Sequence, residues 1–218
     1  MNLVKTKDGS DTVVHHIFDE HYHSIHGAKQ ESEHVFIQKG LALLKTKNEI
    51  NLFEMGFGTG LNALLALDYA KKNQLILNYY SIEAYPLAYA DAMKLNYAQL
   101  VEDPSLFARL HQAEWNKLVA LSPEFNLFKM EALIEDFDIT SIAPVDLIFY
   151  DAFAPSAQAQ LWEKDILKKM YDLLKKNGFL TTYCAKGQFK RNLKELGFRV
   201  EAHPGPPGKR EMTLAYKL

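Results

Sequence analysis

Three glycines spaced two apart follow a short apolar run in Ile50-Asn51-Leu52-Phe53-Glu54-Met55-Gly56-Phe57-Gly58-Thr59-Gly60. Beyond them, Leu61-Asn62-Ala63-Leu64-Leu65-Ala66-Leu67 is rich in good helix formers. The pattern reads as a strand, a tight turn and a helix start. Glycine takes positive φ and lets a ligand reach the backbone with no Cβ in the way. The helix start points free N–H groups into the turn. Glu54 stands two residues before the first glycine, where a carboxylate would repel a pyrophosphate and suit an ammonium group. A dinucleotide turn needs Gly-x-Gly-x-x-Gly, and position 61 is Leu, which argues against a nicotinamide cofactor. Glu83 ends a second apolar run about 20 residues further on, where nucleoside-binding α/β folds keep a carboxylate for the ribose hydroxyls. The plain alternatives are a glycine turn without a ligand and a surface glutamate. Asp151 follows Pro144-Val145-Asp146-Leu147-Ile148-Phe149-Tyr150, the most apolar strand in the chain. Its carboxylate should therefore sit at the bottom of a crevice, partly desolvated, where it could accept hydrogen bonds or take a proton. Alternatively it could cap the loop Ala152–Ser156.

The elements that must position these residues alternate from residue 50 onward. The pattern predicts strands at Ile50–Phe53, Leu75–Ile82, Asn126–Met130, Pro144–Tyr150 and Gly178–Ala185, and a final pair at Phe198–Ala202 and Met212–Tyr216. Helices are expected at 61–73, from Pro86 to about Leu95, from Pro104 to Leu110, around Glu114–Leu121, from Gln158 to Lys176 with Asn177-Gly178 as a stop, and at Gly187–Gly197. Tyr97, Trp115 and Leu118 are expected in the core. Upstream, Leu3–Thr6 and Thr12–His16 around Asp8-Gly9-Ser10 read as a hairpin. A polar aromatic stretch, Phe18–Ser24, then leads to a helix from Ser32 to Leu44. Residues 1–45 form an N-terminal extension, and 46–218 form the main domain. His15, His16, His21, His23 and His26 make a metal site conceivable, but no ordered ligand pair with a third partner is evident. A polar lid or substrate-binding segment is the better reading.

Composition narrows the classes. The 218 residues suit one large domain, or one with an extension, and 48% apolar residues can build a full core. No apolar run approaches the ~20 residues needed to span a bilayer, and Met1–Asp8 has no signal-peptide core. A cytoplasmic protein with no membrane contact is expected. The single Cys184 excludes an internal disulfide and a cysteine-built zinc site. A net charge of −2 carries no global nucleic-acid footprint, so any RNA contact must be local. Lys186, Lys190, Arg191, Lys194, Lys209 and Arg210 supply one such patch, unless they are simply a solvated face.

Glu54-x-Gly56-x-Gly58-x-Gly60 resembles the cofactor turn of class I S-adenosylmethionine methyltransferases, whose ligand carries an amino-acid end. Four blocks occur in order: Phe53–Asn62, Ser81–Leu87, Asp151-Ala152-Phe153-Ala154-Pro155 and Gly208-Lys209-Arg210-Glu211-Met212. Together they resemble the methyltransferase half of the bifunctional tRNA-modifying MnmC family and its stand-alone MnmD counterparts. Phe18–Ser24 and Glu31–Phe36 also resemble that family's N-terminal segment, so the likeness covers nearly the whole chain. It implies an α/β fold with a Rossmann-like sheet, mostly parallel, carrying an antiparallel C-terminal strand. It also implies methylation of 5-aminomethyl-2-thiouridine at the tRNA wobble position, with S-adenosylmethionine as cofactor and tRNA as partner. The family's FAD-dependent oxidase half has no counterpart here, because no second dinucleotide turn occurs, so neither FAD nor a metal is expected. The implied cofactor residues are Glu54, Gly56, Gly58, Gly60, Asn62, Glu83, Ala84, Glu131, Ala132 and Asp151, with Glu131 and Ala132 beside the adenine. Asp151 is the implied catalytic group. Tyr22, His23, Phe153 and Pro155 would meet the base, and Lys190, Arg191, Lys209 and Arg210 the phosphates. A class I enzyme acting on another amine, RNA or protein, or a module that binds the cofactor without turnover, stays open.

Overall fold

The computed structural model describes residues 2–15 and 18–218. The histidine pattern's His16 therefore lies outside the described residues, as do Met1 and Ile17. A small antiparallel sheet comes first, from β1 (Asn2–Lys5), β2 (Asp11–His15) and β3 (Glu20–His21). The expected hairpin is present, with Leu3 paired to Val13. Helix α1 (Ala28–Ser32) then widens into a π-helical turn over Glu33–Gln38, and a 3₁₀ turn over Leu41–Leu44 follows. The single helix expected from Ser32 is thus broken. At Gly40 the backbone lies so close to the Phe36 carbonyl that an added Cβ would be 2.3 Å from its oxygen.

The main sheet holds eight strands: β4 (Glu49–Met55), β5 (Ile76–Glu83), β6 (Leu118–Ser122), β7 (Phe125–Glu131), β8 (Val145–Tyr150), β9 (Leu174–Thr182), β10 (Phe198–Pro204) and β11 (Glu211–Lys217). Their order is β10-β11-β9-β8-β4-β5-β7-β6. The five inner strands from β9 to β7 are parallel, and β11, β10 and β6 pair antiparallel. Every residue of β8 is buried, as a parallel strand covered on both faces requires. Leu147 and Phe149 enter one apolar cluster, shared with α2 (Leu61–Asn73) and with α4 (Ser105–Gln112), which comes after the short α3 (Tyr89–Ala92). Ile148 and Tyr150 enter another, shared with α5 (Lys164–Leu173) and α6 (Gly187–Glu195). Val13, Val35 and Phe36 from the first 45 residues belong to the first cluster, so the extension shares the core.

Three expectations fail locally. Residues 118–122 form strand β6, not a helix, and Leu118 is 63% exposed on that edge rather than in the core. Pairing with β7 through the tight Pro123-Glu124 connection overrides the helical pattern. The long helix after Gln158 is a 3₁₀ turn, Ala159–Trp162, followed by α5. It ends at Leu173 because buried Leu174 already pairs with Val145, so Asn177-Gly178 falls within the irregular start of β9. The helix expected after Pro86 shortens to α3. No helix among the described residues is long and apolar enough to cross a membrane.

Candidate active site

From β4 the chain turns to β5 on one side, while β8 lies on the other. The crevice at such a switch point, outside the carboxyl ends of the strands, is where open α/β sheets bind ligands. A cavity of about 450 Å³ opens there, within the range of small-molecule sites.

The glycine turn forms one wall. Gly56, Gly58 and Gly60 all take positive φ, at 90°, 51° and 75°. A Cβ on Gly58 would lie 3.0 Å from the Tyr22 ring, which closes over the turn from the N-terminal segment. Glu83 faces this turn. One carboxylate oxygen accepts the Gly58 N–H at 2.8 Å and the other the Tyr85 N–H at 2.9 Å. Burial raises its pKa. Each oxygen keeps a lone pair that could accept a ribose hydroxyl.

Glu54 does not reach the cavity wall, although its neighbour Met55 does. Strand β4 runs on through Met55, so Glu54 is still inside the ladder, paired with Ser81 and Phe149. It is fully buried and accepts a 2.7 Å hydrogen bond from Ser81 Oγ. Burial, with a smaller contribution from Asp151, pushes its carboxyl up to about 8. At neutral pH it holds a proton, so the direct ammonium contact expected of it is corrected to a place behind the wall. Its Oε1, like Asn62 Oδ1, is buried without a partner.

Asn62, in the first turn of α2, donates from Nδ2 to Asp151 Oδ2 at 2.7 Å. The carboxylate fixes which end of the amide faces it. Asp151 leaves β8 with its N–H on the Met55 carbonyl, tying the two strand ends together. Its surface is open to the cavity, yet the surrounding protein and the negative charge of Glu31 push its carboxyl up to about 7.

Aromatic rings fill the outer wall. Phe153 lies 5.1 Å from Tyr22, 5.2 Å from His15 and 5.3 Å from Phe18, and Tyr85 edges toward His15 at 6.0 Å. His23 is turned away from this cluster. It is buried, its Nε2 bonds Thr59 Oγ1 at 2.8 Å, and burial lowers its pKa to about 4. It therefore ties the N-terminal segment to the glycine turn as a neutral ring, while still lining the cavity.

Other expected residues divide in the same way. Ala84 and Ala132 line the cavity. Glu131 is exposed and off the wall, and Glu135 lines it instead. Pro155 is also absent from the wall, because the chain turns back at Ala154, whose carbonyl accepts the Ala157 N–H. Lys209 is not part of an outer patch: it lines the cavity and pairs with buried Glu31. Lys190 bonds Glu211 at 2.9 Å, whereas Lys186, Arg191, Lys194 and Arg210 are exposed. Glu31 and Tyr183 are wall residues that sequence reasoning missed. Only Glu31 carried a signal, inside the Glu31–Phe36 block.

The sheet order and the strand-end site define a class I methyltransferase fold. A family model described as S-adenosyl-L-methionine-dependent methyltransferase matches residues 91–218, and the chain belongs to that family. Among curated proteins it is similar to the "tRNA 5-methylaminomethyl-2-thiouridine biosynthesis bifunctional protein MnmC" of Leptospira interrogans, 31% identical over 93% of this chain and 33% of the relative. The protein of the same name from Burkholderia thailandensis is 31% identical over 97% of this chain and 34% of its own. The chain thus spans about a third of the length of these relatives. The crystal structure of MNMC2 from Aquifex aeolicus superposes with a TM-score of 0.78 at 24% identity, covering 98% of this chain and 69% of that one, a likeness of fold.

The residues present fit the family's cofactor. The unpartnered buried oxygen of Asn62 lies on the cavity wall, and the positive-φ glycines leave the turn's backbone bare where a Cβ would crowd the site.

Proposed function

We propose that this chain transfers a methyl group from S-adenosylmethionine to the primary amine of 5-aminomethyl-2-thiouridine at the tRNA wobble position, giving 5-methylaminomethyl-2-thiouridine. The observation that carries this reading is the Asp151–Asn62 contact at the cavity floor, between the glycine turn and the aromatic wall. Relatives named for biosynthesis of that nucleoside in tRNA support it.

The bound cofactor supplies an electrophilic methyl group on sulfur. Glu83 takes the ribose hydroxyls, and Ala84 and Ala132 flank the adenine. Asp151 accepts hydrogen bonds from the incoming amine and takes its proton. A carboxyl pushed up to about 7 is matched to that task near neutral pH. Asn62 occupies one oxygen of Asp151 and leaves the other to the amine. Phe153 and Tyr85 hold the base, and Tyr22 closes the turn to water. Residues 1–45 act as the lid on the domain 46–218. Exposed Lys186, Arg191, Lys194 and Arg210 meet phosphates. A tRNA substrate would place the protein in the cytoplasm.

The test is incubation with labelled S-adenosylmethionine and tRNA from cells lacking the final methylation. Label in that tRNA, and none in fully modified tRNA, is expected. Transfer only to protein or free amines would overturn the reading.

A further inference from the structure

Five carboxylates line the cavity, Glu20, Glu31, Glu83, Glu135 and Asp151, and among the described residues Lys209 is the one lysine or arginine there. Its Nζ bonds Glu31 Oε1 and sits 3.8 Å from the centre of the Tyr183 ring. The Glu31 side chain is only 8% exposed, and its other oxygen accepts the Ser24 N–H at 3.0 Å. Tyr183 in turn donates to the Ala152 carbonyl at 2.8 Å, next to Asp151. An ion pair is thus fixed on the wall from three sides, with no substrate role assigned above.

Such a pair has a natural ligand. An α-amino acid carries an ammonium and a carboxylate on one carbon. A fixed Glu–Lys pair offers each charge its opposite, and charge-assisted hydrogen bonds are the strong ones. The cofactor's amino-acid carboxylate needs a cation, and among the described residues Lys209 is the one lysine or arginine on the wall. Glu54, behind the wall and protonated, does not offer its ammonium a charge. We infer that Glu31 and Lys209 form a clamp for the amino-acid end of the cofactor, Lys209 taking the carboxylate and Glu31 the ammonium. This rests on the methyltransferase reading.

Calorimetry with three probes tests it: S-adenosylhomocysteine, its decarboxylated analogue, and 5′-methylthioadenosine, which lacks the amino-acid end. Wild type should bind the decarboxylated analogue about 10- to 100-fold more weakly than S-adenosylhomocysteine, the range of one charge-assisted hydrogen bond. In Lys209→Met the two should bind alike, with 5′-methylthioadenosine affinity unchanged within about threefold. Glu31→Gln should weaken S-adenosylhomocysteine and spare 5′-methylthioadenosine. The wild-type comparison needs no variant to fold. Equal wild-type affinity for the first two probes would overturn the clamp. So would a Lys209→Met protein that loses all three ligands together while its Tm falls, which would make the pair a latch for the lid. Wild type that binds none of the three would overturn the cofactor reading, and the clamp with it.

Discussion

Asp151 shows how a single carboxylate is prepared by its surroundings. Burial and the charge of Glu31 raise it to about 7, and Asn62 stops it rising further. Only the ionised form can take a proton, so kcat should fall as pH drops through about 7. Asp151→Asn keeps the shape and loses the charge. It should lower kcat by about 10²–10⁴, the range of a lost general base, with S-adenosylhomocysteine affinity changed less than about tenfold. A stable Asn variant with normal turnover would reduce Asp151 to a cap on its loop. Glu54 makes the opposite case. Its position beside the glycines was legible in the sequence, but its charge state was not, because that depends on its complete burial in the sheet and on the nearby charge of Asp151. Glu54→Gln, neutral and isosteric, should keep S-adenosylhomocysteine affinity within about tenfold. A loss of binding measured by calorimetry would show that a charged Glu54 is required.

At the scale of elements, the strand ends were the most legible part of the site. Period-two and continuous apolar runs mark β4, β5, β7 and β8 in the sequence, and the parallel order then brings Gly56–Gly60, Glu83 and Asp151 to one crevice. Residues that reach the crevice from other elements left less signal. His15 and Phe18 arrive from the N-terminal segment, Tyr183 follows β9, and Lys209 sits in the β10–β11 connection. Buried Lys129 is a further case. It falls on the buried face of β7 with Phe125 and Leu127, and its Nζ ties the Leu110 and His111 carbonyls at the end of α4 and lies over the Trp115 ring. No sequence period announces such a contact. Helix α6 carries the element-scale prediction. Replacing Lys186, Arg191 and Lys194 together by Ala should weaken tRNA binding and flatten its salt dependence by roughly one unit of slope per lost phosphate contact. Lys190→Ala, which removes a side chain already paired with Glu211, should do less. An unchanged salt slope in the triple variant would assign α6 to plain solvation.

For the molecule as a whole, the buried titratable groups set how stability depends on pH. Glu54 is raised from 4.5 to about 8 and Asp151 from 3.8 to about 7, so each stabilises the fold below its unfolded value and loses that contribution as pH rises through its folded one. His23 and His111 are lowered from 6.5 to about 4, so their contribution is present above 6.5 and lost as pH falls through 4. The two effects oppose one another in mildly acidic solution; above 6.5 the acids dominate until buried Lys129, lowered from 10.5 to about 8, opposes them as pH rises through 8. Tm should therefore fall between neutrality and about pH 8, and less steeply in Glu54→Gln. An equal slope in both proteins would contradict a buried, protonated Glu54. The overall α/β architecture was legible because the sheet's apolar runs are long and its turns carry glycine. The sharing of one core by the first 45 residues was not, since it depends on packing between distant segments. The most direct test of the account is nucleoside analysis of tRNA from cells lacking the final methylation, after reaction with this chain and S-adenosylmethionine. The account predicts conversion of 5-aminomethyl-2-thiouridine to 5-methylaminomethyl-2-thiouridine, slowed about 10²–10⁴-fold in Asp151→Asn. Unconverted 5-aminomethyl-2-thiouridine, or a methyl group on a different nucleoside, would contradict it.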